Sequence, residues 1–395
     1  MVPPGPSSPP SSGVVGTEGR YPLHEQPALP LEVAGARLLP VGPLRMYTCG
    51  ITPYDVTHVG HAATFVWADL LATLAQATGG SALVARNITD VDDVLTSAAR
   101  TRGRPYDELA LTQEFLFDRD MRALSVAAPA LTPRARAHVV AVVRLAGALL
   151  DSGAAYESEG FVYFRGAHLP EAAGLGEEAA LAASEEYGDQ HDVPGRESPF
   201  DVPVWRPSGE QDPAWPSPWG WGRPGWHAEC AAMALSSLGA TVDVLLGGAD
   251  LTFPHHVYQS AMVEAASGAA PFARTTVHVG EVLLEGRKMA KSTGNLVLVS
   301  DLLERFSGAA LRLGLLHRPW AEPWECEERV FDEATGLLAE LDEVGGGPGA
   351  HSVRHDGVLE ALATELDVPR AVEVARAEGR EAVRYLLDVL KLRRL

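Results

Sequence analysis

Cysteine is scarce in this chain, with three in 395 residues (Cys49, Cys230 and Cys326), too few and too scattered to staple a fold. A disulfide framework is excluded, and a reducing, cytoplasmic setting is expected. Basic residues are also under-represented, at 32 Lys and Arg against 52 Asp and Glu, and the formal charge of −20 repels polyanions and argues against a nucleic acid partner. No uninterrupted apolar run reaches the ~18 residues of a bilayer span. The longest candidate, Ala137 to Leu150, is broken by Arg144. The Pro-, Ser- and Gly-rich opening, Met1 to Gly19, lacks the early positive charge and apolar stretch of a secretory signal and reads as a floppy tail. Core material is plentiful: 46% of residues are hydrophobic, over a length that supports two or three domains.

Periodicity organises that material. Leu44 to Gly50 reads as a strand stopped by the turn Ile51-Thr52-Pro53-Tyr54-Asp55. Val66, Leu70, Leu71 and Leu74 then recur at helical spacing until Gly79-Gly80, and Ser81 to Arg86 reads as a second strand. Together they make a β-α-β unit, the building block of a parallel, doubly wound sheet. Tyr106 to Leu150 predicts two helices and Glu159 to Arg165 a strand, while Gly174 to Asp201 is polar without clear period. A Trp-, Pro- and Gly-rich stretch, Pro213 to Trp226, leads into a helix over His227 to Leu238 and a strand over Val242 to Leu246. A further helix follows Pro254, then strands near Thr275 to Val279 and Val282 to Leu284, and a glycine- and lysine-bearing loop, Gly286 to Asn295. The remainder is helical in composition, with Gly345 to Gly349 reading as a flexible joint.

Two short motifs sit where phosphate chemistry needs them. His58-Val59-Gly60-His61 falls at a helix start after a strand and turn, where free N–H groups and the positive dipole end favour anions. Lys288-Met289-Ala290-Lys291-Ser292 places two lysines on a Gly-bounded loop, able to follow charge developing on a leaving pyrophosphate. Alone, the first more readily serves a turn or cap and the second a solvated loop; their order and context make them informative as a pair.

The pair resembles the signature motifs of class I aminoacyl-tRNA synthetases. Longer runs extend the resemblance over roughly Met46 to Asp301: Met46 to Asp55, Asn87-Ile-Thr-Asp-Val-Asp-Asp93, Trp215 to Cys230, and Gly247-Gly-Ala-Asp-Leu-Thr-Phe-Pro-His-His256. These are similar to cysteinyl-tRNA synthetase and to its relative, the mycothiol-pathway ligase family that joins cysteine to glucosaminyl-inositol. The resemblance implies an α/β fold, with a class I synthetase-like Rossmann core, an insertion and a C-terminal helical domain. The expected division is 1–40, a flexible extension; 41–125 and 200–275, the core halves; 126–199, a connective insertion; 276–335, the lysine loop and a stem-contact-like region; and 336–395, a short helical domain.

It also implies the roles of residues. His58, His61, Lys288 and Lys291 are expected to be catalytic. Gly60, Gly248, Asp250 and Ser292 would join them around ATP and its Mg²⁺, and Gly50, Thr52, Thr89 and Trp226 would line the cysteine pocket. Cys49, Cys230 and His255 would hold one Zn²⁺. Two thiolates and an imidazole suit that metal, and three protein ligands leave a fourth position for a substrate sulfur. Each cysteine taken singly is more readily a small buried core residue, and Cys326, which matches no motif, is expected to be one. His256 competes with His255, and the resemblance favours His255.

Between the relatives, the details lean toward the mycothiol-type ligase. Gly50-Ile-Thr-Pro-Tyr-Asp55 and His61 followed by Ala62-Ala63-Thr64-Phe65 resemble it. Gln259 stands where the tRNA synthetase places a zinc-binding glutamate, and an amide is the poorer ligand. The short C-terminal part, ending in the basic cluster Lys391 to Leu395, leaves little room for an anticodon-reading domain. The expected partners are small molecules, L-cysteine, ATP and glucosaminyl-inositol, with neither tRNA nor membrane, acting on a monomer. A cysteine–tRNA ligase and a synthetase-like protein without catalysis, the latter suggested by Ala290 in the lysine loop, are the alternatives.

Overall fold

In the computed structural model, residues 29–393 are described except 39–40, 55, 187–192, 194, 211, 290–293 and 347–351. The β-α-β unit forms as expected. Strand β1 (Leu44–Ile51) runs into helix α1 (Val59–Ala77), and β2 (Ala82–Ile88) returns parallel to β1. The second half repeats the logic with α2 (Trp226–Leu238), β3 (Val242–Gly248), α3 (Val257–Ser267) and β4 (Ala273–Val279). The four strands make one parallel sheet in the order β4-β3-β1-β2. Because the chain leaves β1 toward β2 on one side and adds β3 on the other, the order reverses between β1 and β3, and a crevice opens beyond their carboxyl ends.

The strands are apolar on both faces because helices cover both. Alternation along β1 sends Met46 to one side, with α1 and the C-terminal helices, and Tyr47 and Cys49 to the other, with α2 and α3. Arg312, wholly buried on the helix Gly308–Leu316, ties the first side together by ion pairing with Asp69 of α1 and donating to the carbonyls of Leu124 and Leu390.

Several expectations are corrected. The Trp-rich stretch is no mere approach to a helix: Trp215–Ser217 and Gly220–Pro224 form a hairpin. Together with Ala155–Ser158, Phe161–Phe164 and Val202–Pro207 it makes a five-stranded antiparallel sheet. Residues 202–224 therefore pair with strands 155–164 in the antiparallel sheet rather than with the parallel one. The polar stretch before them holds a helix, Glu177–Glu186, whose apolar residues run together from Ala179 to Ala183 and so show no period. Of the extension expected over 1–40, residues 1–28 lie outside the described residues, but Leu31–Val33 and Ala36–Leu38 form a hairpin whose Leu31, Val33 and Leu38 are buried. The joint expected at Gly345 to Gly349, of which 347–349 lie outside the described residues, does not separate a domain. Helices Asp356–Ala363, Val368–Glu378 and Arg380–Val389 share one continuous core with α1 and with the helix Glu328–Gly345. No helix among the described residues is long and apolar enough to cross a membrane.

Candidate active site

Three elements meet beyond the carboxyl end of the sheet. Cys49 lies near the end of β1, Cys230 is one turn into α2, and His255 comes from the kinked turn Thr252–His256 that precedes α3. One ligand atom from each lies within 4.8 Å of the others, and all three residues are buried. Burial pushes the Cys49 thiol well above its ordinary value, and the neighbouring Cys230 adds to the shift. Burial likewise pulls His255 well below its ordinary value, with His227 and His256 contributing, so its ring is neutral and can offer a lone pair. Two sulfurs and a neutral imidazole, converging in a dry site, fit a thiophilic divalent cation.

The histidines are themselves supported. His255 Nδ1 lies 2.9 Å from Nδ1 of His227, which burial lowers to about 3. His256 Nδ1 lies 2.8 Å from Nε2 of His278, and its Nε2 is 3.2 Å from Cys49 Sγ. His256 therefore touches one thiol but falls outside the three-residue cluster. His227 and His278 did not emerge from sequence reasoning, although His227 stands inside a quoted run.

Above the cluster, Trp226 stacks on His255 with ring centroids 4.1 Å apart. Thr89 is buried, and its N–H donates to the Ile51 carbonyl at 2.9 Å. Thr52 is half-buried on the turn after β1. Gly50 was expected to offer its backbone to substrate; its N–H donates to Asn87 Oδ1 at 2.9 Å. Asn87 in turn donates from Nδ2 to Thr89 Oγ1 at 3.0 Å, so this buried amide, missed as a site residue, fastens the ends of β1 and β2.

On the other flank, His58 caps the start of α1 and stacks on His61, with centroids 3.9 Å apart. A Cβ at Gly60 would meet the His58 ring at 3.0 Å, and one at Gly248 would lie 2.3 Å from Asp250 Oδ1, so both glycines permit close approach. Lys288 stands opposite. Its Nζ lies 2.6 Å from Glu186, 3.7 Å from Asp250 and 3.8 Å from Glu281. Burial works against its charge, but Asp250, Glu186 and Glu281 outweigh it and hold the ammonium above its ordinary value. Glu186, on the insertion, and Glu281 carried no motif by which the sequence could have pointed to them. Lys291 and Ser292, like Ala290, lie outside the described residues.

Residues 38–336 match the family model described as the tRNA synthetases class I (C) catalytic domain. The L-cysteine:1D-myo-inositol 2-amino-2-deoxy-alpha-D-glucopyranoside ligase of Acidothermus cellulolyticus is 40% identical over 377 residues, covering 89% of this chain and 91% of that protein. The protein of the same name from Streptomyces griseus is 40% identical over 371 residues, with 89% and 90% covered. Among solved structures, Mycobacterium tuberculosis methionyl-tRNA synthetase in complex with methionyl-adenylate matches with a TM-score of 0.62 at 17% identity, covering 89% of this chain and 90% of that one, a likeness of fold.

Proposed function

The chain belongs to the class I (C) tRNA synthetase catalytic-domain family, and on that premise we propose that it is an ATP-dependent ligase. It activates L-cysteine as cysteinyl-adenylate and transfers it to the amine of glucosaminyl-inositol, releasing pyrophosphate and AMP. The observation that carries this reading is the convergence of Cys49, Cys230 and His255 beneath Trp226, at the switch point of a parallel sheet. The ~40% identical relatives named for that reaction supply the acceptor.

The chain's residues divide the work. Trp226, Thr52 and Thr89 line the cysteine pocket and hold its carboxylate toward the nucleotide, converting an encounter of two molecules into a positioned attack. The start of α1, with His58, Gly60 and His61, receives phosphate oxygens. Gly248 and Asp250 take the ribose, and Lys288, Lys291 and Ser292 follow the departing pyrophosphate. Zn²⁺ held by Cys49, Cys230 and His255 would supply selective affinity for a thiolate over a hydroxyl, and Mg²⁺ would enter with ATP. In the first step the carboxylate oxygen bonds to the α-phosphorus and the α–β bridge breaks. In the second the acceptor amine bonds to the acyl carbon, gives up a proton, and AMP departs. Substrates and products are all small molecules, handled by a cytoplasmic monomer without tRNA.

Purified chain with cysteine, ATP and either glucosaminyl-inositol or tRNA tests the assignment. Cysteine-dependent exchange of pyrophosphate into ATP and a cysteinyl amide of the amino sugar are the expected results. Cysteinyl-tRNA as the sole product would establish the tRNA ligase instead, and absence of exchange would leave a non-catalytic binder.

A further inference from the structure

Two buried polar atoms beside the thiols, Gln259 Nε2 and the Tyr47 hydroxyl oxygen, make no hydrogen bond among the described residues. Gln259 is wholly buried, with its Oε1 3.5 Å from Cys49 Sγ and its Nε2 unbonded. Tyr47 is equally buried, its hydroxyl makes no hydrogen bond of ordinary geometry, and the Cys230 thiol stands beside it. Leaving such donors dry and unsatisfied is costly, and native structures rarely keep them without reason. Their placement is regular. Tyr47 precedes Cys49 by two residues and so shares its face of β1, while Gln259 follows His255 by four, one helical turn on.

A neutral thiol can donate to the Gln259 carbonyl oxygen, whereas a thiolate can only accept. Amide oxygen and nitrogen are nearly the same size, so a half-turn of the Gln259 amide presents N–H to Cys49 with no other atom displaced. The Tyr47 hydroxyl needs only to rotate its proton toward Cys230. Two cysteine thiolates balance one divalent cation, and a third thiolate from substrate leaves the cluster with one negative charge in a dry site, where buried donors count most.

We propose that Tyr47 and Gln259 are positioning residues that donate hydrogen bonds to Cys230 and Cys49 once these sulfurs hold a metal as thiolates. The inference rests on the reading of Cys49, Cys230 and His255 as metal ligands. Neither residue touches substrate; each acts through a sulfur.

The test titrates metal-stripped protein with Co²⁺ against a chromophoric chelator while recording the sulfur-to-cobalt charge-transfer band, for wild type, Tyr47→Phe, Gln259→Leu and the double variant. Each single variant should bind Co²⁺ about tenfold more weakly or worse, the range seen when such outer partners are lost. The band should move to longer wavelength, because sulfur lone pairs without hydrogen bonds lie higher in energy. The metal-free variants should melt close to metal-free wild type, since Tyr47→Phe removes a hydroxyl without a hydrogen bond and Gln259→Leu only the long 3.5 Å contact with the Cys49 thiol. Variants with wild-type cobalt affinity and an unshifted band, or weaker binding explained by equal destabilisation of the metal-free protein, would overturn the proposal. A wild type that takes up no cobalt would overturn the metal reading, and this inference with it.

Discussion

Trp226 lies face to face with His255, the ring planes 19° from parallel. One is the first residue of α2 and the other belongs to the turn before α3, so the stack joins the two helices that bring Cys230 and His255 together. Under the proposed function the indole would serve both as a wall of the cysteine pocket and as a support for His255. Trp226→Ala should weaken zinc about tenfold, as loss of a ligand's supporting contact does, and raise the KM for cysteine, while Trp226→Phe should keep most of both. Chelator competition and cysteine-dependent pyrophosphate exchange measure the two, and a wild-type pair of values for Trp226→Ala would refute the dual role.

Cys230→Ser separates metal holding from simple core packing. A hydroxyl fills nearly the same space but is a poor zinc ligand at neutral pH. Zinc content should fall well below one per chain, and adenylate formation should disappear with it. The corresponding change at Cys326, buried near Arg318 with its thiol pushed up to about 11 by burial, should leave zinc content and exchange intact. Metal analysis on the two serine variants, side by side, decides whether the motif or burial alone explains these cysteines.

The parallel core was legible because β1, α1 and β2 carry their period locally and Gly79-Gly80 mark the turn between them. The convergence of Cys49, Cys230 and His255 was legible only through long motifs, since no spacing rule brings them to one point. The antiparallel insertion sheet was not legible. Its strands are short, Pro207, Pro216 and Pro224 sit at or inside them, and pairing of 202–207 with 161–164 is decided by tertiary packing rather than by local pattern. Glu186 and Glu281, beside Lys288, escaped for a related reason. Glu186 reaches it from a helix of the insertion, and an exposed glutamate in a polar run has no local feature that distinguishes it. The crowding at Gly50 was not legible, because the group that meets it is the backbone of the neighbouring strand.

That crowding gives a sharp expectation for Gly50→Ala. A Cβ there would sit 1.8 Å from the Asn87 carbonyl oxygen and 2.8 Å from its carbon, and backbone atoms cannot swing aside. The ends of β1 and β2 must part, breaking the Gly50 to Asn87 bond and shifting Cys49. Overpacking of this kind costs about 1–3 kcal/mol. Because the displacement is centred on a ligand, exchange activity should fall by far more than the stability loss accounts for. Denaturant unfolding and exchange measured on the same preparation would show this, and a variant that is less stable yet fully active would contradict it.

The Asp69 network makes the last prediction, one of stability and pH. Asp69 accepts from Arg312 at 2.6 Å, from Lys391 at 2.8 and 2.9 Å, and from the Ala127 N–H at 2.8 Å, joining α1 to the C-terminal helices. Burial pushes its carboxyl up, but Arg312 and Lys391 outweigh burial and leave it below the ordinary carboxylate value. A folded-state value depressed below the unfolded one stabilises the protein above the unfolded pKa and is lost as pH falls through the folded one. Asp69→Asn strands Arg312 as a buried charge and should cost about 3–5 kcal/mol at neutral pH, with less dependence of stability on pH through the acid range than wild type. Asp69→Leu with Arg312→Met, which removes the principal pair together, should be less damaging than Asp69→Asn alone. Urea unfolding across the acid-to-neutral range tests both statements. If Asp69→Asn kept the full acid dependence of the wild type, the network would not be the source of that dependence.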